Sequence, residues 1–395
     1  MNKLQDQERF SGYVFTKEKY SYDGRYGAII DLGYGVSPIG AANELAELFG
    51  RQDPAQLFAQ LTCYAADASH KDMIRLLLAY LKLPDLAPDT VVFSSHGSVG
   101  AADEAVGFLA RQDFHTIFVP TYSFPDIYRL AVRHRLAYRP LSSAALHPLA
   151  SAAAIMELGR KQLSGSIVYL DYPNNPFGAA DPALMRQVAL HAVQHGAVPL
   201  IDLAFAETLG DEFFAAVRDV IELGGICLGT LSKTQGLPHL RLGYALVSPQ
   251  LLARGADSDQ RLVFLLNPLA IFALTALLGC QEQSDPLAWI HASRVRAYNA
   301  AANSELYAGL EQLGLTVGKT DPNTHLQVVI STLPDFWQRL MRCGIITESL
   351  YDYRQTTAGC VDKTTCFDNR AVRLLTPGSQ KIEATLARIR LALSL

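Results

Sequence analysis

Between Val91 and Val247 the chain alternates strand-length apolar runs with segments of helical period. That alternation limits the available folds more than any other feature. Val91–Ser95 reads as a strand and Ala101–Arg111 as a helix. His115–Val119 is a strand and Pro125–His134 a helix. Ser166–Asp171 is a strand, Pro182–His195 a helix and Val198–Asp202 a strand, with further strands at Ile226–Thr230 and Tyr244–Val247. Strands alternating with helices predict an α/β fold, a mostly parallel sheet covered on both faces.

The texture changes after this stretch. From Leu287 to Leu313 one long amphipathic helix is expected, with Leu287, Ile290, Val295, Tyr298, Leu306, Leu310 and Leu313 on its apolar side. Shorter mixed elements follow: Leu326–Ser331, a helix near Pro334–Arg342, Val372–Leu375 and a last helix from Lys381. We therefore expect a large domain at 50–285 and a smaller α+β domain that combines 1–49 with 286–395. A chain of 395 residues is long enough for two such cores.

Composition narrows the partners. The formal net charge is only −4, without the basic surplus of a nucleic-acid binder. The six cysteines make no CxxC pair and no zinc-spaced cluster with histidine, so no metal is expected and a reducing cytosol is. The start, MNKLQDQERFSGYVF, is too polar for a signal peptide. Leu262–Gly279 is the longest apolar stretch, but Asn267 and Pro268 interrupt it, so it reads as a buried helix and its approach rather than a membrane span.

Three segments carry chemistry. The first runs from Thr230 through Ser232, Lys233 and Gly236 to Arg241 and Gly243. A lysine just past a buried strand is unusual, and its amine is a nucleophile only when deprotonated. A covalent imine with a carbonyl cofactor meets that need. Arg241 is a permanent cation suited to a phosphate, and Thr230 and Ser232 offer hydroxyls. The plainer reading is a surface turn with an exposed lysine. The second segment, Ile167 to Gly178, is a strand running into Asn174-Asn175-Pro176, a forced turn at a strand's carboxyl end, where α/β sheets bind ligands. The third ends an apolar strand on Asp202, an N-cap or turn former unless a cation faces it. A protonated pyridine nitrogen would be such a cation, and the pairing would keep the ring an electron sink.

Taken together, the Asn turn, the strand-end Asp and the Ser-Lys-x-x-Gly-x-x-x-x-Arg-x-Gly run resemble the class I/II aminotransferases of fold type I, and most nearly members of the kind of histidinol-phosphate aminotransferase and threonine-phosphate decarboxylase. The resemblance extends from about Asp31 to Arg373. It implies a large domain built on a mostly parallel seven-stranded sheet, a smaller α+β domain, and pyridoxal 5'-phosphate held by Lys233 as a Schiff base. It also implies a homodimer with composite sites.

The same resemblance assigns further residues. Gly97 and Ser98 would form the phosphate cup, as backbone amides at a helix N-terminus also favour. Tyr122 would stack on the pyridine ring, Asn175 would bond its phenolic oxygen and Tyr64 would reach the neighbouring subunit's phosphate. Arg373 would clamp a substrate α-carboxylate, and Gly35 lies in the stretch that closes over the substrate. Read without the resemblance, Tyr64 and Tyr122 are core aromatics, Arg373 a surface strand residue and Gly97 a turn. His96, Tyr34 and His239 are unranked pocket residues. The chain also departs from the family pattern. Phe205 stands where a tyrosine is usual, which removes a donor to the phenolic oxygen, and Val36-Ser37-Pro38 replaces the usual Asn-Pro.

The function implied is an aminotransferase acting on a small α-amino acid. Its nearest rival keeps the cofactor and changes the outcome to elimination, cyclisation or decarboxylation. A non-catalytic ligand sensor lacks an appended DNA-binding segment, and a nicotinamide-dependent enzyme lacks GxGxxG after the first strand.

Overall fold

Ser166–Asp171, Val198–Asp202 and Ile226–Thr230 are buried at every position, so these strands have no wet face to impose a polar alternation. In the computed structural model they form the middle of a sheet covered on both sides. The structure describes residues 22, 24–33, 35–51, 53, 55, 67–141, 150–255, 266, 268–279, 286–318, 321–353 and 370–395.

In chain order the strands are β1 (Ile30–Asp31), β2 (Val91–Ser94), β3 (Thr116–Pro120), β4 (Ala137–Leu141), β5 (Ser166–Asp171), β6 (Val198–Asp202), β7 (Ile226–Thr230), β8 (Gly243–Val247), β9 (Thr316–Gly318), β10 (Leu326–Ile330), β11 (Ile345–Ile346), β12 (Glu348–Ser349) and β13 (Ala371–Leu375). Among them run helices α1 (Ala42–Gly50), α2 (Asp67–Tyr80), α3 (Gly97–Ala110), α4 (Ile127–Arg133), α5 (Pro182–Gln194), α6 (Asp211–Leu223), α7 (Pro268–Leu278), α8 (Leu287–Gln312), α9 (Phe336–Arg342) and α10 (Ile382–Ser394).

Seven strands make one sheet in the order β2-β8-β7-β6-β5-β3-β4. The strands from β7 to β4 are parallel, and β8 runs antiparallel to both β7 and β2. The period of two along each strand splits the core. Ile167, Tyr169, Leu200 and Leu228 face the cluster that holds α3 and α4. Val168, Leu170, Ile201 and Cys227 face the cluster that holds α2, α5, α6 and α7. The consequence for function is at one edge. The carboxyl ends of β2, β3, β5, β6 and β7 emerge there, next to the start of β8. Ser94 pairs with Gly243, Gly243 with Thr230, and Asp171 with Asp202 along that edge.

The other sheet is antiparallel, in the order β12-β13-β10-β9, and β1 pairs in parallel with β11. Leu306, Leu310, Phe336, Leu340 and Ile389 from α8, α9 and α10 close its core. The turn after β5 meets this sheet at Gly178. Its φ is +73°, and a Cβ there would come within 2.5 Å of Thr324 Oγ1 and 2.7 Å of the Leu326 carbonyl. Glycine is what lets the Asn174–Gly178 turn lie against β10.

Several boundaries differ from expectation. α3 begins at Gly97, not Ala101, because its first turn is drawn in against β8 rather than left as loop. α4 begins at Ile127, after Pro125 and Asp126. The edge strand β4 was not foreseen; its AYRPL sequence carries a proline, which an edge tolerates. Along α8 the buried line runs through Ala288, Val295, Asn299, Ala302, Leu306 and Leu310, while Ile290 and Tyr298 are half-buried. Val295, Leu306 and Leu310 are buried as expected, and small and amide residues, which an apolar pattern does not mark, fill the rest of that seam. No helix among the described residues is long and apolar enough to cross a membrane.

The seating of α3 on β8 can be tested. A Cβ at Gly243 would lie 2.2 Å from the Gly97 carbonyl carbon and oxygen. Gly243→Ala is expected to cost about 1–3 kcal/mol in urea unfolding, as overpacking does. A loss under about 0.5 kcal/mol, the range of ordinary surface changes, would contradict this packing.

Candidate active site

The residues singled out in the sequence follow the strand ends, and the edge gathers them. Lys233 comes three residues after β7, Asp202 closes β6, Asn175 lies in the turn after β5 and Tyr122 just beyond β3. Gly97 opens α3 after β2, and Arg241 precedes β8.

At one end of this row is a cradle for an anion. The N-terminus of α3 is capped by His96 without a side-chain hydrogen bond. Gly97 has φ +73°, and a Cβ there would meet Arg241 Nη2 at 2.8 Å. Arg241 itself is left-handed at φ 52°, a conformation a non-glycine residue holds only when its surroundings enforce it. Its Nη2 donates to the His96 carbonyl at 2.7 Å and its Nη1 to the Pro238 carbonyl at 3.0 Å. The Thr230 hydroxyl donates to the Leu242 carbonyl at 2.6 Å, and its oxygen lies 2.8 Å from Ser232 Oγ. Thr230 thus ties β7 to the start of β8 and sets Ser232 beside it. A helix N-terminus, a guanidinium and a hydroxyl make a donor set that suits phosphate. Ser98 is the second residue of α3. His96 and His239 are exposed.

In the middle lie two buried carboxylates on neighbouring strands. Asp202 Oδ1 accepts from the Ala204 amide at 3.0 Å, and Oδ2 accepts from the Tyr169 hydroxyl at 3.1 Å. Burial raises its pKa, and the two donors and Lys233 offset only part of that. A cation placed against Asp202 would restore its charge, and a protonated ring nitrogen is such a cation. Asp171 was quoted in the sequence but given no role. The Ser123 hydroxyl, the Phe124 amide, Asn174 Nδ2 and the Asn175 amide all donate to it, at 3.2, 3.2, 3.0 and 3.1 Å. Burial, then Asp202, push its pKa up to about 7. Asp171 therefore fixes the turn that presents Asn175. Asn174 Nδ2 also donates to the Tyr122 carbonyl at 3.1 Å, which joins that turn to the loop after β3. The Tyr122 ring is half-buried and meets Phe177 edge-on at 5.7 Å.

Lys233 faces this row. Burial, then Arg373 and more weakly Arg241, lower its pKa to about 8, against the opposing pull of Glu348 and Asp202. Its Nζ stands 5.4 Å from the centre of the Phe205 ring. Gly35 lies over both: at φ +67°, a Cβ there would be 3.1 Å from Phe205 Cζ and 3.4 Å from Lys233 Nζ. The stretch around Gly35 is tied down at four points. The Gly33 carbonyl accepts from Arg373 Nη2, and the Gly35 carbonyl accepts from His325 Nε2 at 3.0 Å. The Ser37 and Ala41 amides donate to the Lys233 and Gln235 carbonyls, each at 2.9 Å. His325 is neutral, because burial takes its pKa down to about 4.

Arg373 is buried, not a surface strand residue. Its Nη1 donates to Asn175 Oδ1 at 3.1 Å, and its Cζ lies 5.2 Å from the centre of the Tyr353 ring. Sequence reasoning missed its anionic neighbour, Glu348, whose Oε2 is 2.5 Å from Nη2. Glu348 follows only the short run Ile345-Ile346-Thr347 and belongs to no motif that marks it in the sequence. Tyr64 and Tyr34 lie outside the described residues.

The family model for aminotransferase class I and II matches residues 28–365. Histidinol-phosphate aminotransferase of Symbiobacterium thermophilum is 27% identical over 208 residues, 51% of this chain and 54% of that protein. The counterpart from Cupriavidus pinatubonensis is 28% identical over 214 residues, with 51% and 54% covered. The chain thus spans about half the length of these curated relatives. Among solved structures, an aspartate aminotransferase double mutant of Thermus thermophilus has a TM-score of 0.73 at 16% identity, covering 97% of this chain and 96% of that one. Histidinol-phosphate aminotransferase of Sinorhizobium meliloti, solved with pyridoxal 5'-phosphate, has a TM-score of 0.68 at 18% identity, covering 97% and 95%. These structural likenesses show the fold. The chain belongs to the aminotransferase class I and II family, whose members are pyridoxal-phosphate-dependent transferases.

Proposed function

We propose that this protein is an aminotransferase that takes the amino group from a small α-amino acid, with Lys233 carrying pyridoxal 5'-phosphate. The observation behind this reading is the setting of the Lys233 amine. It is brought near neutrality, roofed by Gly35 and Phe205, and placed between a buried carboxylate and a buried guanidinium. Bound there, the cofactor supplies a carbonyl for the amino group and a ring that holds an electron pair.

The chain's own residues do the rest. Arg241, Ser232 and the N-terminus of α3, at Gly97 and Ser98, hold the phosphate, with Thr230 shaping the loop. With the cofactor bound, Asp202 would keep a proton on the ring nitrogen, Tyr122 would pack beside the ring and Asn175 would offer a hydrogen bond to its phenolic oxygen. Arg373 fixes the substrate carboxylate and so orients the bond at the α-carbon. Released from the cofactor by the substrate's amine, Lys233 Nζ would take the α-proton and return it on the other side of the substrate nitrogen, at the cofactor's carbonyl carbon. Gly35 and Phe205 keep water from that amine.

Elimination or cyclisation is the second reading. Phe205 favours it, because a phenyl ring by Lys233 gives no donor where a tyrosine hydroxyl would, and protonation states in such a site steer the outcome. We further propose division into 50–285 and 1–49 with 286–395, since the two larger sheets draw their strands from 91–247 and 316–375. A cytosolic homodimer, with Tyr64 reaching across, completes the reading. The buried thiols of Cys227 and Cys343 suit a reducing compartment.

Borohydride reduction of the yellow holoenzyme is expected to fix the cofactor to the peptide containing Lys233; labelling on another lysine would overturn the assignment. With a suitable amino acid and no acceptor, the cofactor's aldehyde is expected to pass fully to the amine form, stop, and recover on adding an oxo acid. Continued consumption of the amino acid with the aldehyde form intact would replace transamination by elimination or cyclisation.

Asp202→Asn is expected to retain cofactor and slow α-proton removal by roughly a hundredfold or more, since the ring loses its proton-holding partner. Near-normal turnover would remove Asp202 from the role.

The Lys233 amine sets a pH expectation for the cofactor-free chain. A depressed pKa means the reactive neutral amine appears as pH rises through about 8, not through the ordinary lysine value of 10.5. Acetylation of Lys233, followed by peptide mass spectrometry, is expected to reach half its limiting rate near the lower value. Arg373→Met removes a like charge and moves the midpoint up. A midpoint at the ordinary lysine value in the wild-type chain would contradict the burial of this amine.

A further inference from the structure

The carboxylate clamp of this site is already occupied by an anion of the chain itself. Glu348 on β12 stands directly opposite Arg373 on β13, so the two side chains leave the same face of the sheet. Their ion pair, Glu348 Oε2 to Arg373 Nη2 at 2.5 Å, has the two side chains 18% and 4% exposed, the most buried such pair among the described residues. Nη2 also donates to the Gly33 carbonyl, and Nη1 donates to Asn175. A substrate carboxylate arriving at Arg373 therefore meets a guanidinium whose charge is balanced.

The pair sits in the active site, not behind it. Both members act on the Lys233 amine, Arg373 lowering its pKa and Glu348 raising it. The cations that act on Glu348 are Arg373 and Lys233, while Asp31 and Asp126 act on it as further anions. Those two cations are the ones the reaction uses. When a substrate acid takes Arg373, Glu348 must share or surrender its partner. A buried carboxylate that loses its cation is strongly disfavoured. The exchange balances when the substrate carries a cation of its own: its acid pairs with Arg373 and its cation with Glu348. A dicarboxylate, or a phosphorylated amine, brings a second anion instead and leaves Glu348 opposed by like charge.

We propose that Glu348 sets substrate choice at this site, and that the amino donor it selects carries a second, cationic nitrogen rather than a second carboxylate or a phosphate. This deepens the aminotransferase reading above and rests on it for the word donor. The charge preference of the site does not depend on which reaction follows.

The test uses the holoenzyme and two ligands that cannot react with the cofactor, 4-guanidinobutyrate and glutarate. Each has a carboxylate for Arg373, and they differ in carrying a guanidinium or a second carboxylate at the other end. Calorimetric titration is expected to show wild type binding 4-guanidinobutyrate about tenfold or more tightly than glutarate. Glu348→Gln is expected to erase or reverse that ratio, and Glu348→Asp to restore part of it. Wild-type preference for glutarate overturns the proposal, as does a ratio that Glu348→Gln leaves within about twofold. Should Glu348→Gln fail to fold, the wild-type ratio decides alone. L-ornithine and L-lysine against L-glutamate and histidinol phosphate, in single turnover, then read the reaction itself. A basic preference in titration with no conversion of the cofactor by any of them would leave Glu348's role standing and sink the transaminase reading.

Discussion

The pairing of Asp171 with Asp202 at the ends of β5 and β6 is the constraint from which the site follows. Strands buried on both faces cannot display polar groups along their length, so polar chemistry is pushed to where the strands stop. In this sheet the stops coincide. The register that brings Asp171 level with Asp202 also brings Thr230 level with Gly243, and Gly243 level with Ser94. Each strand then releases a short segment into the same space, and Lys233, Asn175, Tyr122, Gly97 and Arg241 arrive together although they are spread over 145 positions of sequence. A shift of one residue in the β5–β6 pairing would put Asp171 and Asp202 on opposite faces of the sheet.

Two residues of one kind, in register and equally buried, meet different surroundings. Asp171 is met by two backbone amides, one side-chain amide and one hydroxyl. Asp202 is met by one backbone amide and one tyrosine hydroxyl. The better-satisfied carboxylate is spent on architecture, holding the Asn174–Asn175 turn and the loop of Tyr122. The less satisfied one keeps capacity for a further donor or cation. Spacing alone does not separate these roles, since each aspartate closes an apolar strand.

That difference marks how far the sequence could be read. Elements with their own apolar run were legible: β5, β6 and β7 have the boundaries their patterns predict. So was the long helix α8 with Val295, Leu306 and Leu310 on its buried side, though Asn299 and Ala302, which line the same seam, left no apolar trace. Residues that carry a motif, such as Lys233, Arg241 and Asn175, could be named because several fixed types recur at fixed offsets. Asp171, His325 and Glu348 could not. Each matters through a partner far away in the chain: Glu348 lies opposite Arg373 only because β12 and β13 are adjacent, and His325 holds Gly35 across 290 positions. The strands involved, of two residues each in β11 and β12, are too short to leave a periodic trace.

Arg373 joins what those long-range contacts assemble. Through Asn175 it touches the turn that Asp171 fixes; through the Gly33 carbonyl it touches the stretch that roofs Lys233; through Glu348 it touches the small sheet. A guanidinium carries five N–H donors in one fixed plane, so a single side chain can tie together acceptors from three separate parts of the chain. Partial burial lowers the pKa of the Lys233 amine to about 8 and raises that of Glu348, so the charges of Lys233, Glu348 and Arg373 act on one another more than on solvent.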